Sequence, residues 1–246
     1  MNRSDDLSAL RFEAVRKRYG RRWALSVATL DIPRGSVVAL VGPNGAGKTS
    51  LLHLAVNLTV PDSGQVTVFG ARPRSAAVRG DVGFVAQDKP LYRRFRVAEL
   101  LRMGAELNAR WDQAYAVDRL TRGGIDLRQR AGTLSGGAQS QVALTLALAK
   151  RPRLLLLDEP AAALDPLARR SFLTSIAHEA REHGITVVHS SHDIGELDRA
   201  CDFLAIVKDG GVVVAGPIAD LVRAGETLED LILATLAGDA ATRWAA

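Results

Sequence analysis

The chain has 246 residues, 47% of them hydrophobic, which is enough to fill a sizeable core, and its single cysteine, Cys201, excludes an internal disulfide. No stretch reaches the roughly 18 apolar residues that a membrane-spanning helix needs, and the N-terminus lacks the apolar core of a secretory signal, so we expect a cytosolic protein. The net charge of +5 comes from scattered basic residues rather than a basic face, so we expect no nucleic-acid partner.

The first half of the chain predicts strands, one glycine-rich turn and one helix. The alternating runs FEAVRKRY and ALSVATLDI predict two strands before an apolar strand at residues 36–41. A helix is predicted over residues 48–57, and strands follow at QVTVFG and at residues 82–86. Between residues 97 and 122 the runs VAELLRMGAELN and AYAVDRLTR have an apolar period near 3.6, which predicts a helical block inserted into the strand-bearing core.

The second half of the chain returns to alternating helices and strands. The pattern predicts a helix over residues 139–150, the buried strand LLLLD, a helix from Asp165, the strand ITVVHSS and a helix near residues 193–199. Two strands follow, FLAIVKDG and residues 211–216, and then the small amphipathic helix LEDLILATLAG. This alternation predicts an α/β fold with a mostly parallel sheet covered on both faces.

The glycine-rich turn has the sequence GPNGAGKT and follows a strand and precedes a helix, as in the pattern G-x-x-x-x-G-K-[ST]. Its glycines let backbone N–H groups converge on an anion, the helix start adds partial positive charge, and the lysine neutralises terminal phosphate oxygens. We therefore expect this loop to bind a nucleoside triphosphate. The residues assigned to it are Gly42, Pro43, Asn44, Gly45, Ala46, Gly47, Lys48, Thr49 and Ser50.

Two acidic residues follow the buried strand LLLL. Asp158 is placed to hold a hydrated Mg²⁺ ion together with Thr49, and Glu159 is placed to polarise the attacking water. Paired acids after an apolar strand are usually only its solvated end, but the phosphate loop in the same chain favours the catalytic interpretation.

A second anion site is predicted at Ser135, Gly136 and Gly137, where Ser135 caps an exposed helix start. With these residues the chain resembles the ATP-binding subunits of ABC transporters, because LSGGA is similar to that family's LSGGQ signature. The resemblance implies a P-loop NTPase core, an N-terminal antiparallel β subdomain, an α-helical subdomain and a head-to-tail dimer. In such a dimer each ATP lies between the phosphate loop of one subunit and the signature of the other; homodimer and heterodimer both stay open.

Further positions match the family in chain order. Tyr19 resembles the aromatic residue that stacks on adenine, and Gln87 the glutamine that touches Mg²⁺ and the attacking water. Asp165 resembles the D-loop aspartate that acts across the dimer interface, and His192 the histidine that contacts the γ-phosphate. The implied catalytic set is Glu159, His192, Gln87 and Lys48, and the implied metal set is Thr49, Gln87 and Asp158. His189 is expected to be a packed, satisfied histidine.

The chain also departs from the family pattern. Ala138 replaces the glutamine of the signature and Ala162 replaces the usual D-loop serine, which puts the hydrolysis rate and the coupling of the two ATP sites in doubt. Nucleotide binding itself should survive, because Ser135, Gly136 and Gly137 are kept.

The implied organisation is one ABC ATPase domain: a core with its β subdomain at residues 1–87 and 133–216, a helical subdomain at 88–132 and a helical tail at 217–246. The implied function is ATP hydrolysis that powers transport through a separate integral membrane subunit, which holds the chain on the inner face of the cell membrane. The short tail favours export over import. The alternative is an ABC ATPase of DNA repair, chromosome handling or translation.

Overall fold

The computed structural model describes residues 7–162, 164–191 and 200–238. Within these ranges all nine strands predicted from the sequence are present. They are β1 (Ser8–Tyr19), β2 (Arg22–Pro33), β3 (Val37–Val41), β4 (Ser63–Val68), β5 (Val82–Val85), β6 (Leu154–Leu157), β7 (Thr186–Ser191), β8 (Phe203–Lys208) and β9 (Gly211–Pro217).

The described helices include the predicted helical segments other than the one near residues 193–199, and they add two short helices, α2 and α7. They are α1 (Lys48–Ala55), α2 (Ala76–Arg79), α3 (Val97–Leu107), α4 (Gln113–Arg122), α5 (Gly136–Ala149), α6 (Pro166–His183), α7 (Ile218–Leu221) and α8 (Leu228–Ala237). The helix predicted near residues 193–199 lies outside the described residues. Among the described helices, none combines the length and apolar character needed to cross a lipid bilayer.

The strands of the described chain form one sheet in the order β4-β1-β2-β9-β8-β3-β7-β6-β5. The central strands β8, β3, β7, β6 and β5 pair in parallel, whereas β1 pairs with β2 and β4 antiparallel and β8 pairs with β9 antiparallel. The predicted mixed α/β fold with a mostly parallel sheet is thereby confirmed. The carboxyl ends of β3, β5, β6 and β7 meet at one edge of this sheet.

Strand β3 shows why the central strands are apolar throughout. All five of its residues are buried, because successive side chains point to opposite faces and both faces are covered. Val37, Ala39 and Val41 join a cluster with residues of α5, α6 and α8. Val38 and Leu40 join a second cluster with residues of α1, β1 and β2.

The helical region after residue 88 contains two helices, α3 and α4, which correspond to the two runs of helical period in the sequence. The chain leaves the helix after Leu107, and Asp112 begins the next helix by accepting a hydrogen bond from the Tyr115 N–H at 2.8 Å. Both helices pack in a third apolar cluster that includes Val142 and Ala149 of α5. An ion pair of 2.7 Å between Arg119 and Glu179 links α4 to α6. The subdomain bounds at residues 88 and 132 stay predictions.

Candidate functional site

The glycine-rich loop joins β3 to α1 and depends on its glycines for space. Gly42 has a φ of 154°, and a Cβ there would lie 2.1 Å from the carbonyl oxygen of Val207 in β8. Gly47 has a φ of 115°, and its Cβ would lie 2.6 Å from the carbonyl oxygen of Ala24. Gly47 also begins α1 without a side-chain cap. The first N–H groups of α1 therefore have no side chain competing for them, as an anion site requires.

Lys48 lies under this loop with only 5% of its surface exposed. Its Nζ donates hydrogen bonds to the carbonyl oxygens of Gly42 and Pro43, at 2.7 and 3.2 Å. Burial lowers the pKa of Lys48, and the negative charges of Glu159 and Asp158 oppose that effect. A buried ammonium beside converging N–H groups is suited to neutralise phosphate oxygens.

Thr49 and Asp158, which are 109 positions apart in the sequence, meet at the carboxyl edge of the sheet. The Thr49 Oγ1 donates a hydrogen bond to Asp158 Oδ1 at 3.2 Å, and Asp158 is only 2% exposed. A hydroxyl and a carboxylate are oxygen ligands of the kind that Mg²⁺ takes alongside phosphate oxygens and water. No cluster of three or more His, Cys, Asp or Glu that could hold a metal is found among the described residues.

Gln87 and Glu159 face each other across the same edge. The Gln87 Nε2 donates to Glu159 Oε2 at 3.4 Å, so the two groups predicted to handle the attacking water are in contact. Glu159 has a φ of 44°, which is uncommon for a residue other than glycine. This conformation turns the chain sharply after Asp158.

Of these groups, Lys48, Thr49, Gln87 and Glu159 line a cavity of about 470 Å³. Tyr19 forms part of its wall and is 48% exposed, so Tyr19 is not a core residue and is available for stacking. The other lining residues are Arg22, Ala24, Asn44, Gly45, Gly47 and Ser50. Ala46 lies beneath the loop, where its carbonyl oxygen accepts the Gly210 N–H at 3.1 Å.

The predicted second anion site lies outside the lining of this cavity. Ser135 caps α5 as expected, with its Oγ accepting the Ala138 N–H at 3.2 Å, and Ser135 and Gly136 are exposed. Asp165 caps α6 by accepting the Ala168 N–H at 2.9 Å. A Cβ on Gly137 would lie 2.9 Å from Leu164, so the starts of α5 and α6 are neighbours.

The segment HSSHD contains two histidines, His189 and His192, for which different roles were predicted. His192 lies outside the described residues. His189 is buried in β7 with its Nε2 at 3.2 Å from the Cys201 Sγ, which confirms that it is packed and satisfied. Burial lowers the pKa of His189 to about 4 and raises the pKa of Cys201 to about 12.

The sequence did not single out two residues that the structure places at the site. Arg22 lines the cavity, and no motif marked it among many scattered arginines. Ser190 is buried next to Asp158 and Glu159 and bonds to both. No signal marked Ser190, because its strand, TVVHSS, also carries polar residues at Thr186, His189 and Ser191.

Comparison with known proteins gives concordant matches. A family model described as "ABC transporter" matches residues 25–162. The Fe(3+) ions import ATP-binding protein of Pseudomonas fluorescens is 35% identical over 225 residues, which cover 88% of this chain and 64% of the relative. The spermidine/putrescine import ATP-binding protein of Methylococcus capsulatus is 36% identical over 241 residues, covering 93% of this chain and 60% of the relative. The chain thus spans less than two thirds of the length of these two relatives.

Among solved structures, a dimeric ATP-binding cassette in a post-hydrolysis state, bound to ADP and Pi, superposes with a TM-score of 0.75 at 26% identity. The match covers 85% of this chain and 98% of that one.

Proposed function

Because the chain belongs to the ABC transporter family, we propose that it is an ATP-binding and ATP-hydrolysing subunit that powers transport through a separate integral membrane subunit. The observation that carries the proposal is the convergence of five groups at the carboxyl edge of the sheet. They are the buried Lys48, the Thr49–Asp158 pair and the Gln87–Glu159 pair. The names of the relatives at 35% and 36% identity support the transport role.

Different residues of the site bind the phosphates, the base and the metal ion of Mg–ATP. The loop N–H groups and Lys48 bind the β- and γ-phosphates, and Tyr19, half-exposed on the cavity wall, stacks on the base. Thr49, Asp158 and Gln87 would hold Mg²⁺, which supplies neutralisation of the charge that develops on the phosphate oxygens.

Hydrolysis requires a water molecule aligned with the γ-phosphorus. Glu159 accepts a proton from that water as the new P–O bond forms and the bond to the bridging oxygen of ADP breaks. Gln87, bonded to the same carboxylate at 3.4 Å, orients the water. His192, which lies outside the described residues, is proposed to contact the γ-phosphate on the strength of the family resemblance.

A second subunit completes the site in this proposal. Ser135, Gly136 and Gly137 lie at an exposed helix start that does not line the cavity of their own chain. They are therefore proposed to bind the nucleotide held by the partner, with Asp165 at the same interface. The dimeric structure of the cassette bound to ADP and Pi supports this arrangement.

A groove away from the nucleotide cavity is proposed to receive the membrane subunit. Its volume is about 570 Å³, and it lies between the end of α1, strand β5 and helix α5. Apolar side chains dominate the lining, among them Leu58, Phe84, Leu91 and Leu146. This docking would place the chain on the inner face of the cell membrane.

The predicted direction of transport is not confirmed. Both relatives described above are named as import proteins, whereas the short tail favoured export in the sequence. Direction and cargo reside in the membrane subunit, so the proposal is limited to the ATPase that drives it.

Two measurements test the proposal. Glu159→Gln should keep ATP binding, lose at least about 100-fold in kcat and accumulate an ATP-bound dimer detectable by light scattering, because the water loses its base. Glu182→Gln, on the exposed face of α6, is the matched control and should behave as wild type. A fully active Glu159→Gln would remove this residue from catalysis.

The second measurement identifies the partner. The tagged chain is purified from its native cell after mild detergent solubilisation of the membranes. Stoichiometric recovery of a polytopic membrane protein is expected. Recovery of ribosomes or DNA-repair factors without a membrane protein would instead establish the alternative non-transport function.

A further inference from the structure

The second half of strand β7 is unusual because it buries polar side chains. The run Thr186–Ser191 begins with apolar residues at Val187 and Val188 but continues with His189 and Ser190, both almost fully buried. His189 is satisfied by Cys201. Ser190 has no role in the chemistry assigned above, so its burial needs a separate explanation.

The register of the sheet places Ser190 beside Asp158 and Glu159, the two acids that follow β6. Strand β7 pairs with β6 in parallel, with Leu156 opposite Val188 and Leu157 opposite His189. One step further along both strands, Ser190 comes opposite Asp158. The hydroxyl is therefore carried to this position by the backbone ladder and not by a flexible loop.

The Ser190 hydroxyl makes two bonds of opposite sense. It donates to Asp158 Oδ1 at 2.7 Å and accepts the backbone N–H of Glu159 at 2.9 Å. A hydroxyl has one proton to donate, so with that proton on the carboxylate its lone pairs are available to the N–H. The Thr49 hydroxyl also bonds to Oδ1, so neither of these two bonds uses Oδ2.

The bond from the Glu159 N–H to the Ser190 hydroxyl fixes the backbone at a residue with an unusual conformation. Glu159 has a φ of 44°, in the left-handed region that residues other than glycine adopt only when their surroundings hold them there. The N–H of Asp158 is fixed to the Val85 carbonyl at 2.9 Å, and the N–H of Glu159 is fixed to Ser190. The chain is thus held at two successive N–H groups where it enters the turn that brings the Glu159 carboxylate to Gln87. Beyond the turn the Glu159 carbonyl accepts the Ala162 N–H at 3.3 Å.

We propose that Ser190 is a positioning residue: one hydroxyl sets both the orientation of the Asp158 carboxylate and the backbone conformation that directs Glu159. The inference rests on the proposed function, because it assigns to Ser190 an effect on ATP hydrolysis. It predicts that the metal-binding group and the water-activating group change together when this hydroxyl is lost.

The test compares Ser190→Ala with a hydroxyl-keeping variant, Ser190→Thr, and with a control in the same strand. The control is Thr186→Val, because the Thr186 hydroxyl is also buried and also accepts a backbone N–H, that of Gly35 at 2.8 Å. It lies at the opposite end of β7, away from the site. Ser190→Cys, which is close to serine in size but a weak hydrogen-bonding group, serves if the alanine variant does not fold.

Three quantities are measured for each variant: kcat and KM for ATP, the melting temperature, and ADP affinity by calorimetry in EDTA and in MgCl₂. Ser190→Ala should lose about 10- to 100-fold in kcat with KM changed less than about threefold, the scale for a group that supports metal ligands. The gain in ADP affinity on adding Mg²⁺ should shrink by about tenfold. Affinity in EDTA should stay unchanged, and Ser190→Thr should recover most of kcat.

The outcomes separate this inference from the proposed function. Wild-type kcat and Mg²⁺ gain in Ser190→Ala would overturn the role of Ser190 while leaving the ATPase intact. Equal kcat losses in Ser190→Ala and Thr186→Val, following the melting temperature, would also overturn it, because stability alone would then explain the loss. A wild-type chain that neither binds ADP nor hydrolyses ATP would overturn the proposed function and the inference together.

Discussion

The buried histidine of β7 makes the stability of the protein depend on pH in a calculable way. His189 is 2% exposed, and burial lowers its pKa from the ordinary value of 6.5 to about 4. Between these two values the unfolded chain binds a proton that the folded chain excludes. The free energy of unfolding therefore falls as the pH decreases from about 6.5 to about 4, and the loss is complete below pH 4.

The magnitude follows from the gap between the two pKa values. A difference of about 2.5 pH units, at 1.36 kcal/mol per unit, gives a total loss of about 3 kcal/mol. Between pH 7.5 and pH 5 the contribution is about 2 kcal/mol, since about 1.5 units of the window are crossed. The partner cannot compensate, because burial holds the pKa of Cys201 at about 12 and its thiol stays neutral throughout.

The assay is urea unfolding at pH 7.5 and pH 5 for wild type and for His189→Leu, which cannot take up the proton. The variant should lose about 2 kcal/mol less than wild type between the two pH values, whatever its absolute stability. His178→Gln is the control, because His178 is 78% exposed on α6, and it should lose as much as wild type. Equal losses in wild type and His189→Leu would refute the reasoning.

Substitutions in the glycine-rich loop and at Tyr19 give three further predictions. Lys48→Ala should abolish tight ATP binding in calorimetry, because the phosphate charge loses its counter-ion; unchanged affinity would contradict the loop assignment. Tyr19→Ala should raise the Kd for ATP about tenfold, within the roughly 1–3 kcal/mol that base stacking contributes, and an unchanged Kd would exclude stacking. Gly42→Ala should lower both the melting temperature and ATP affinity more than Gly45→Ala, because its Cβ meets a backbone carbonyl at 2.1 Å whereas that of Gly45 meets only the Arg22 guanidinium at 3.4 Å. Equal effects of the two alanines would show that the loop shifts freely.

The fold was predictable to the extent that local pattern determines it. The strands of the core follow from apolar runs, and helices α3 and α4 follow from two runs of helical period that the segment at residues 108–112 separates. Asp112 caps the second helix there, and it also pairs with Arg151 at 2.7 Å, a contact between distant parts of the chain. The pairing of β2 with β9 was not predictable either, because it joins residues that are far apart in the sequence.

The candidate site was predictable where its residues form contiguous motifs. The loop and the acids after β6 could be read directly, and the rule that parallel strands end at one edge brings Thr49 to Asp158. Arg22 and Ser190 could not be found in this way. Each lies beside residues that are remote in sequence, Arg22 beside the glycine-rich loop and Ser190 beside the acids after β6, and neither residue type is unusual in its own segment.

The segment around Glu159 illustrates why residues such as Ser190 escape sequence analysis. Glutamate has no intrinsic preference for positive φ, and neither does lysine, yet Glu159 has a φ of 44° and Lys89, two residues after Gln87, has a φ of 46°. Both strands that carry the Gln87–Glu159 pair therefore leave the sheet through an unfavourable turn. Such conformations persist only where surrounding bonds hold them, and at Glu159 the bond comes from Ser190, 31 positions away. Local preference and tertiary structure conflict at this point, and conflicts of this kind concentrate where a side chain must be directed for function.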